Sequence, residues 1–566
     1  MRPTRCWLAA GVTLWLNGCG SPVVEGEGGA GGEAANGAGG QGEGGGGGAA
    51  TTPWQACPLY VDRPNGPQAE CATFQVPLRW SEPEGPTIGI FVQRLLGDGP
   101  RRSQLWLLEG GPGGSGADFD EWMAALHQSD PALDLYAIDH RGVGRSARLT
   151  CEAQETPTSD WGISVSPSEA AACHAALTAQ WGGDLAEFST TAAARDLGHL
   201  IEVNREDDLG VLLYSVSYGT YWAHRYLQLF PDQASGVVLD SIAPPGIDFV
   251  TYDEDFDRVG RDFLALCAAD GVCSAKLGSD PWSALESLAS DLDAGHCAAV
   301  QQAWGLNREA LRLVLAVLLM SPITRTYLPA TIYRLQRCEE ADVAAIDRML
   351  TLLFGDQTTS YYDTLSSDAL FYNVSLSELW PDQELHPTLA EIEETESSLY
   401  ITTGLTPRVA AVQSEWPAYA DDAYVDAWAS TQTPILMLNG DLDPMTPLWL
   451  AELTAPHFTD SNQHFVIIPR AAHCVTAQTP TVFGQPMCGL EVARSFFADP
   501  MAPPDTRCLD QIPAESFAGD PGLNNLVFGT VDLWENVSGF SAQAEPSRRV
   551  LRQLKHVRRS VDRHLR

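Results

Sequence analysis

"LLYSVSYGT", residues 212–220, runs an apolar segment straight into a tight turn of small residues with Ser217 at its centre, after which the chain reads as a helix. A strand, then small-x-Ser-x-Gly, then a helix is the arrangement in which a sharp turn projects a serine hydroxyl above the end of a sheet, and the flanking residues must be small to avoid clashes. Here the turn is Ser215-Val216-Ser217-Tyr218-Gly219, with serine in the first small position. Serines in turns are common. Ser217 acquires chemistry only if the rest of the chain supplies a sheet, a base, an acid and a site for developing negative charge.

Working outward, short apolar segments recur and each enters a polar or glycine-rich loop: Leu105–Leu108, Leu135–Ile138, Val211–Tyr214, Val237–Leu239 and, much later, Pro434–Leu438 and Phe465–Ile468. Helix-like stretches separate them, which predicts βαβ units and a mostly parallel sheet with function collected at the strand C-terminal ends. Ahead of them, Ala72–Leu78 and Ile88–Leu95 alternate like strands on either side of the turn at Pro83–Pro86. Residues 246–425 are different, being mainly helical, as in "NREALRLVLAVLLM"; the apolar run Leu311–Met320 is too short to span a bilayer and is expected to be buried. The expected organisation is an α/β core in two parts, 54–245 and 426–530, the second with a C-terminal cysteine region, interrupted by a helical cap at 246–425.

A nucleophilic serine needs a base. The two lysines, Lys276 and Lys555, are not in plausible loops, so histidine is left. His473 follows the segment "HFVIIPR"; His140 is the main rival, and His457 and His464 lie before or at the start of that segment. The acid is expected in "LNGDLDPMTP", where Asp441 and Asp443 both follow "ILMLN". Ser217, Asp443 and His473 then fall in the chain order Ser…Asp…His expected of α/β-hydrolases. "LLEGGPGGSG", residues 107–116, puts a glycine loop upstream of the nucleophile, and the N–H groups of Gly111 and Tyr218 are the expected oxyanion pair. No Lys-Ser/Thr follows the glycines, which excludes a P-loop, and no cysteine pair has CxxC spacing, so neither a metal nor a cofactor is expected.

"GGPGGSG" (110–116), "DHRGVGRS" (139–146), "SVSYGT" (215–220), "VVLDS" (237–241) and "NGDLDPMTP" (439–447) together resemble the prolyl iminopeptidase and secreted tripeptidyl aminopeptidase family. The lead-in at residues 54–85 and the cysteines Cys488 and Cys508 also look like the secreted branch. The resemblance implies an α/β-hydrolase core with a helical cap, Ser217 as nucleophile, Asp443 as acid, His473 as base, and release of one to three residues from a free peptide N-terminus. It also implies a buried Asp139–Arg141 ion pair below the loops. Glu109 stands where the iminopeptidases usually have His before GGPG, a departure that bears on proline specificity. An exopeptidase must hold the substrate ammonium, and Glu339, Glu340 and Asp342, or the run Glu391–Glu394, are the candidate carboxylates. The substrate is then a peptide or a small acyl compound. An esterase on the same fold is the alternative, and a non-catalytic binding protein is a third class.

The first residues carry Arg2 and Arg5 before an apolar stretch of about a dozen residues, an export signal rather than a membrane span. Leu16-Asn17-Gly18-Cys19 resembles a lipobox, which makes residues 1–18 a signal peptide, Cys19 the lipidated residue and residues 19–53 a glycine-rich flexible tether. Such a chain is expected in the bacterial cell envelope, anchored to a membrane through its lipid. Gly20 in place of aspartate favours the outer membrane; the alternative is a freely secreted protein. A net charge of −39 excludes nucleic acid as a partner, since phosphate binding needs clustered cations on the fold. The exception is the arginine-rich tail, residues 531–566. An exported chain should pair its cysteines, and neighbours in sequence point to Cys57 with Cys71, Cys151 with Cys173, Cys267 with Cys273 and Cys488 with Cys508. Cys297 with Cys338 makes a fifth bridge and leaves Cys474 odd, other connectivities remaining open.

Overall fold

The computed structural model describes residues 53–355, 360–381, 387–481 and 485–537. The signal, Cys19, nearly all of the tether and the arginine run 548–566 lie outside them. The frame is one nine-stranded sheet in the order β1-β2-β3-β5-β4-β6-β7-β8-β9. β1 (Gln55–Pro58), β2 (Gln68–Pro77) and β3 (Thr87–Leu95) are antiparallel to one another, and β3 is antiparallel to β5. From β5 onward, β5 (Leu133–Ile138), β4 (Ser103–Leu108), β6 (Gly210–Ser217), β7 (Gly236–Ile242), β8 (Ile435–Gly440) and β9 (Gln463–Ile468) run parallel. This is the α/β-hydrolase fold class.

Burial accounts for which segments were readable. Every residue of β4, β5, β7 and β8 is buried, as expected of parallel strands covered on both faces, and such strands appear in sequence as unbroken apolar runs. Alternate residues feed two cores: Leu213, Trp106 and Met437 on one face, Leu212, Leu107 and Leu438 on the other. β2 is buried only at Ala69, Ala72 and Val76, while the four-residue β1 is half exposed, carries no apolar pattern and is held by pairing to β2 and by the Cys57–Cys71 bridge.

Among the described residues every element between β7 and β8 is helical, from Phe249–Thr251 to Leu405–Gln413. The expected buried helix forms over Arg308–Leu319, with Leu313–Leu319 all buried. No helix among the described residues is long and apolar enough to cross a membrane. The five bridges form as expected: Cys57–Cys71, Cys151–Cys173, Cys267–Cys273, Cys297–Cys338 and Cys488–Cys508. Cys474, expected to be odd, is disulfide-bonded as well. One boundary differs from expectation. Residues 531–537 do not start a free tail but pack on the insertion: Trp534 is buried, and Arg334 donates to the carbonyl of Leu533 at 3.0 Å.

Topology locates the working end of the molecule. The chain leaves β4 for β5 on one side of it and leaves β6 for β7 on the other, so the crevice at the C-terminal ends of β4 and β6 is a switch point. The glycine loop and Ser217 occupy those two strand ends.

Candidate active site

β6 ends on Ser217 and the helix Tyr218–Leu229 begins at the next residue. So sharp a turn puts Ser217 at φ 56°, ψ −131°, a conformation an L-residue keeps only when its surroundings impose it. Gly219 of the motif and Gly110 of the glycine loop make room for it. A Cβ on Gly219 would lie 2.3 Å from the carbonyl oxygen of Leu108, and one on Gly110 would lie 2.8 Å from Ser217 Cβ. Ser215 is spent in the sheet, donating from Oγ to the Val238 carbonyl at 2.8 Å.

Asp443 and His473 come together after β8 and β9. His473 Nδ1 lies 2.9 Å and 3.0 Å from the two carboxylate oxygens, so the proton sits on Nδ1 and Nε2 is left as the acceptor. Three further donors hold that carboxylate: the N–H groups of Met445 at 2.9 Å and Thr446 at 3.0 Å, and Thr446 Oγ1 at 3.0 Å. Asp441 instead accepts from the Arg470 N–H, and burial pushes its carboxyl up. His140 is fully engaged elsewhere, Nδ1 donating to the Arg141 carbonyl at 2.6 Å, and burial pushes its pKa down to about 3.

Ser217, Gly111 and Tyr218 line one cavity with Met445 and Thr446 of the acid loop. Thr446 Oγ1 also lies 3.2 Å from His473 Nδ1, so this hydroxyl bridges the Asp443–His473 pair and the serine cavity. Nothing in the sequence singled it out except its place three residues after Asp443. With its proton given to Asp443, the hydroxyl turns a lone pair to Nδ1–H and fixes the carboxylate opposite the ring. Thr446→Val, which keeps the shape and removes one hydrogen bond to a charged group, is expected to lower kcat by about 10- to 100-fold while Thr446→Ser stays near wild type. Steady-state kinetics check it, and a valine variant of full kcat would overturn it.

Two elements brace the glycine loop. Glu109 accepts from the Gly110 N–H at 2.9 Å, and Asp139 accepts from Ser115 Oγ at 2.7 Å, from the Gly116 N–H at 2.8 Å and from the Arg145 N–H at 2.7 Å. The expected Asp139–Arg141 pair does not form. Arg141 runs beneath the helix Thr190–Asn204 and pairs bidentately with Asp196 at 2.6 and 2.7 Å, because the turn after β5 directs the two side chains to different layers.

The expected amine partners Glu339 and Glu340 are exposed at the start of the helix Glu340–Phe354, where Glu339 forms a capping box with Asp342; neither lines the serine cavity. Asp342 is taken by Arg334 and Arg337, and Glu391 by a capping box with Thr388. The acidic site that the sequence did not reveal is a second cavity, walled in part by Asp253, Glu254 and Glu396. The two cavities back onto one turn, Phe249 facing the serine and Val250 the carboxylates. Burial, reinforced by Asp253, pushes the Glu396 carboxyl up to about 8.

The family model of the alpha/beta hydrolase fold matches residues 105–274, and a model described as TAP-like protein matches residues 406–508. The first range contains Ser217 and the second Asp443 and His473. A tripeptidyl aminopeptidase of Streptomyces lividans is 31% identical over 222 residues, 36% of this chain and 41% of that protein. Serine protease Hip1 of Mycobacterium tuberculosis is 26% identical over 264 residues, 43% of this chain and 49% of that protein. The match thus spans less than half the length of either relative. Among solved structures, a thermophilic esterase from Thermogutta terrifontis is 14% identical with a TM-score of 0.30, over 76% of this chain and 99% of that one.

Proposed function

We propose, from the premise that this chain is an α/β hydrolase with a TAP-like segment in the second half of its core, that it is an exported serine aminopeptidase acting through an acyl-enzyme. The observation that carries the proposal is the Asp443–His473 pair, joined through Thr446 to the cavity that holds Ser217, Gly111 and Tyr218. Ser217 Oγ attacks a carbonyl carbon while His473 Nε2 takes its proton, and Asp443 holds the imidazolium that forms. The Gly111 and Tyr218 amides bind the oxyanion, the second of them at a helix N-terminus where the dipole favours negative charge. His473 then protonates the leaving amine, and water hydrolyses the acyl-enzyme by the same route. Five disulfides suit an oxidising compartment and support export.

For an aminopeptidase the counter-charge to the substrate ammonium falls to the acidic cavity. Its place behind the Phe249–Val250 turn and the raised Glu396 carboxyl support that role. The sign follows from the protonation state. Below about 8 Glu396 holds a proton that an incoming ammonium must displace, so KM for a free-amine substrate should fall as pH rises from 6 to 8, by up to about tenfold per unit. Peptidyl arylamides with free and blocked amines test this. Free-amine turnover with that slope, lost in Glu396→Gln, is expected; indifference to blocking overturns the aminopeptidase, and turnover of esters alone overturns the peptidase.

A further inference from the structure

We infer that the apolar walls around Ser217 form the pocket for the acyl-side residue, the one whose carbonyl is attacked, and that Phe249 and Leu379 limit it to an uncharged aliphatic side chain. The inference rests on Ser217 as nucleophile but not on whether the scissile bond is an amide or an ester.

The cavity at Ser217 is walled by the side chains of Ala243, Ile247, Phe249, Leu379 and Met445. Among the described residues its hydroxyls belong to Ser217, Thr446 and Tyr218, and Tyr218 turns its own away, to Thr190 Oγ1 at 2.8 Å. No carboxylate, amine or guanidinium among the described residues lines it. A charged acyl-side residue would therefore surrender its hydration with nothing to pair against, whereas an aliphatic one fits the chemistry of every wall.

The roof is built to keep its shape. Phe249 and Leu379 come from distant parts of the insertion and are tied by the Phe249 N–H donating to the Leu379 carbonyl at 3.0 Å. Thr406 Oγ1 donates to the Phe249 carbonyl at 3.1 Å, and Asp248 accepts from the Val250 N–H at 2.8 Å, so the turn that carries the ring is fixed on both sides. Behind the ring stand Phe371, stacked at 6.3 Å, and Tyr252 at 5.9 Å. A phenylalanine backed in this way does not swing out for a bulky substituent. It sets the depth of the pocket, and Leu379 sets it from the other part of the insertion.

Two substrate series read the pocket in the full chain: free-amine peptidyl arylamides with Ala, Val, Leu, Phe, Asp or Lys at the acyl position, and nitrophenyl esters of increasing acyl length. Wild type should favour Ala, Val and Leu over Asp and Lys by at least about 100-fold in kcat/KM. Phe249→Ala should raise Phe relative to Ala by about tenfold or more and shift the ester optimum to longer chains; Leu379→Ala is the second variant, read in the same way. Equal turnover of charged and aliphatic acyl groups overturns the pocket, as does an unchanged ranking in both variants when either remains active. Ester turnover without amide turnover overturns the peptidase reading alone, and the ester series then decides the pocket by the same shift in chain length.

Discussion

Ser217→Ala is expected to lower kcat by about 10⁶-fold on any substrate the wild-type enzyme turns over, and His473→Ala by a similar amount, since members of a triad act as a unit. Asp443→Asn should cost less, on the order of 10⁴-fold, because the histidine remains but its tautomer and orientation are no longer held at 2.9 Å. The double variant Ser217→Ala/His473→Ala should be no slower than either single one. The substitution is clean on structural grounds. Ala replaces the hydroxyl alone, and the φ of 56° is imposed by the close packing of Gly219 and Gly110 rather than by Oγ. A fluorophosphonate probe gives a readout independent of substrate choice, with wild type labelled on Ser217 and the variant not labelled. A wild type that resists the probe and turns over none of the arylamides or esters would point to a non-catalytic binding protein on the same fold. Labelling that survives Ser217→Ala would overturn the assignment of the nucleophile.

How much of this was legible in the sequence follows from what each residue depends on. The central strands could be read because burial on both faces leaves an unbroken apolar run, and Ser217 and Asp443 because one ends and the other closely follows such a run; His473 follows the edge strand β9, which is apolar at Phe465–Ile468 but only partly buried. β1 could not, since Gln55–Pro58 is held by pairing and a disulfide rather than by apolar content. Thr446 was hidden by its ordinariness, a threonine in a turn. The cavity walls were hidden by distance, because Phe249 and Leu379 meet only when the insertion folds back on itself. Glu339 reads ambiguously for a local reason: a carboxylate before a helix is as well suited to capping it, as Glu339 does, as to binding an ammonium. Asp196 did leave a signal. It sits between Ala193, Leu197 and Leu200 on the buried face of Thr190–Asn204, and a carboxylate on an apolar face demands a cation.

That demand makes Arg141→Met the substitution with the largest expected effect on stability, about 3–5 kcal/mol. The Arg141 side chain is fully buried and spends its guanidinium completely: two bonds to Asp196, and others to the carbonyls of Leu78 at 3.0 Å, Glu187 at 2.7 Å and Pro77 at 3.3 Å. Methionine fills much of the volume but leaves Asp196 with only the Trp80 indole N–H at 2.9 Å. Arg141→Lys should recover only part of the loss, because an ammonium cannot reproduce the fork. The pH dependence has a definite sign. Burial already pushes the Asp196 carboxyl up against the pull of Arg141, and without the cation it rises further. A group whose folded pKa is raised contributes less as pH rises through that value, so the deficit of Arg141→Met should be smallest near pH 4 and grow toward pH 7. Replacing both partners, Arg141→Met/Asp196→Leu, removes the uncompensated charge and should be more stable than Arg141→Met alone. Pulse proteolysis in urea, with the disulfides intact, measures all three variants against wild type. An Arg141→Met protein within about 1 kcal/mol of wild type at pH 7, or a double variant no better than the single one, would show that this buried pair does not hold the layer beneath the site together.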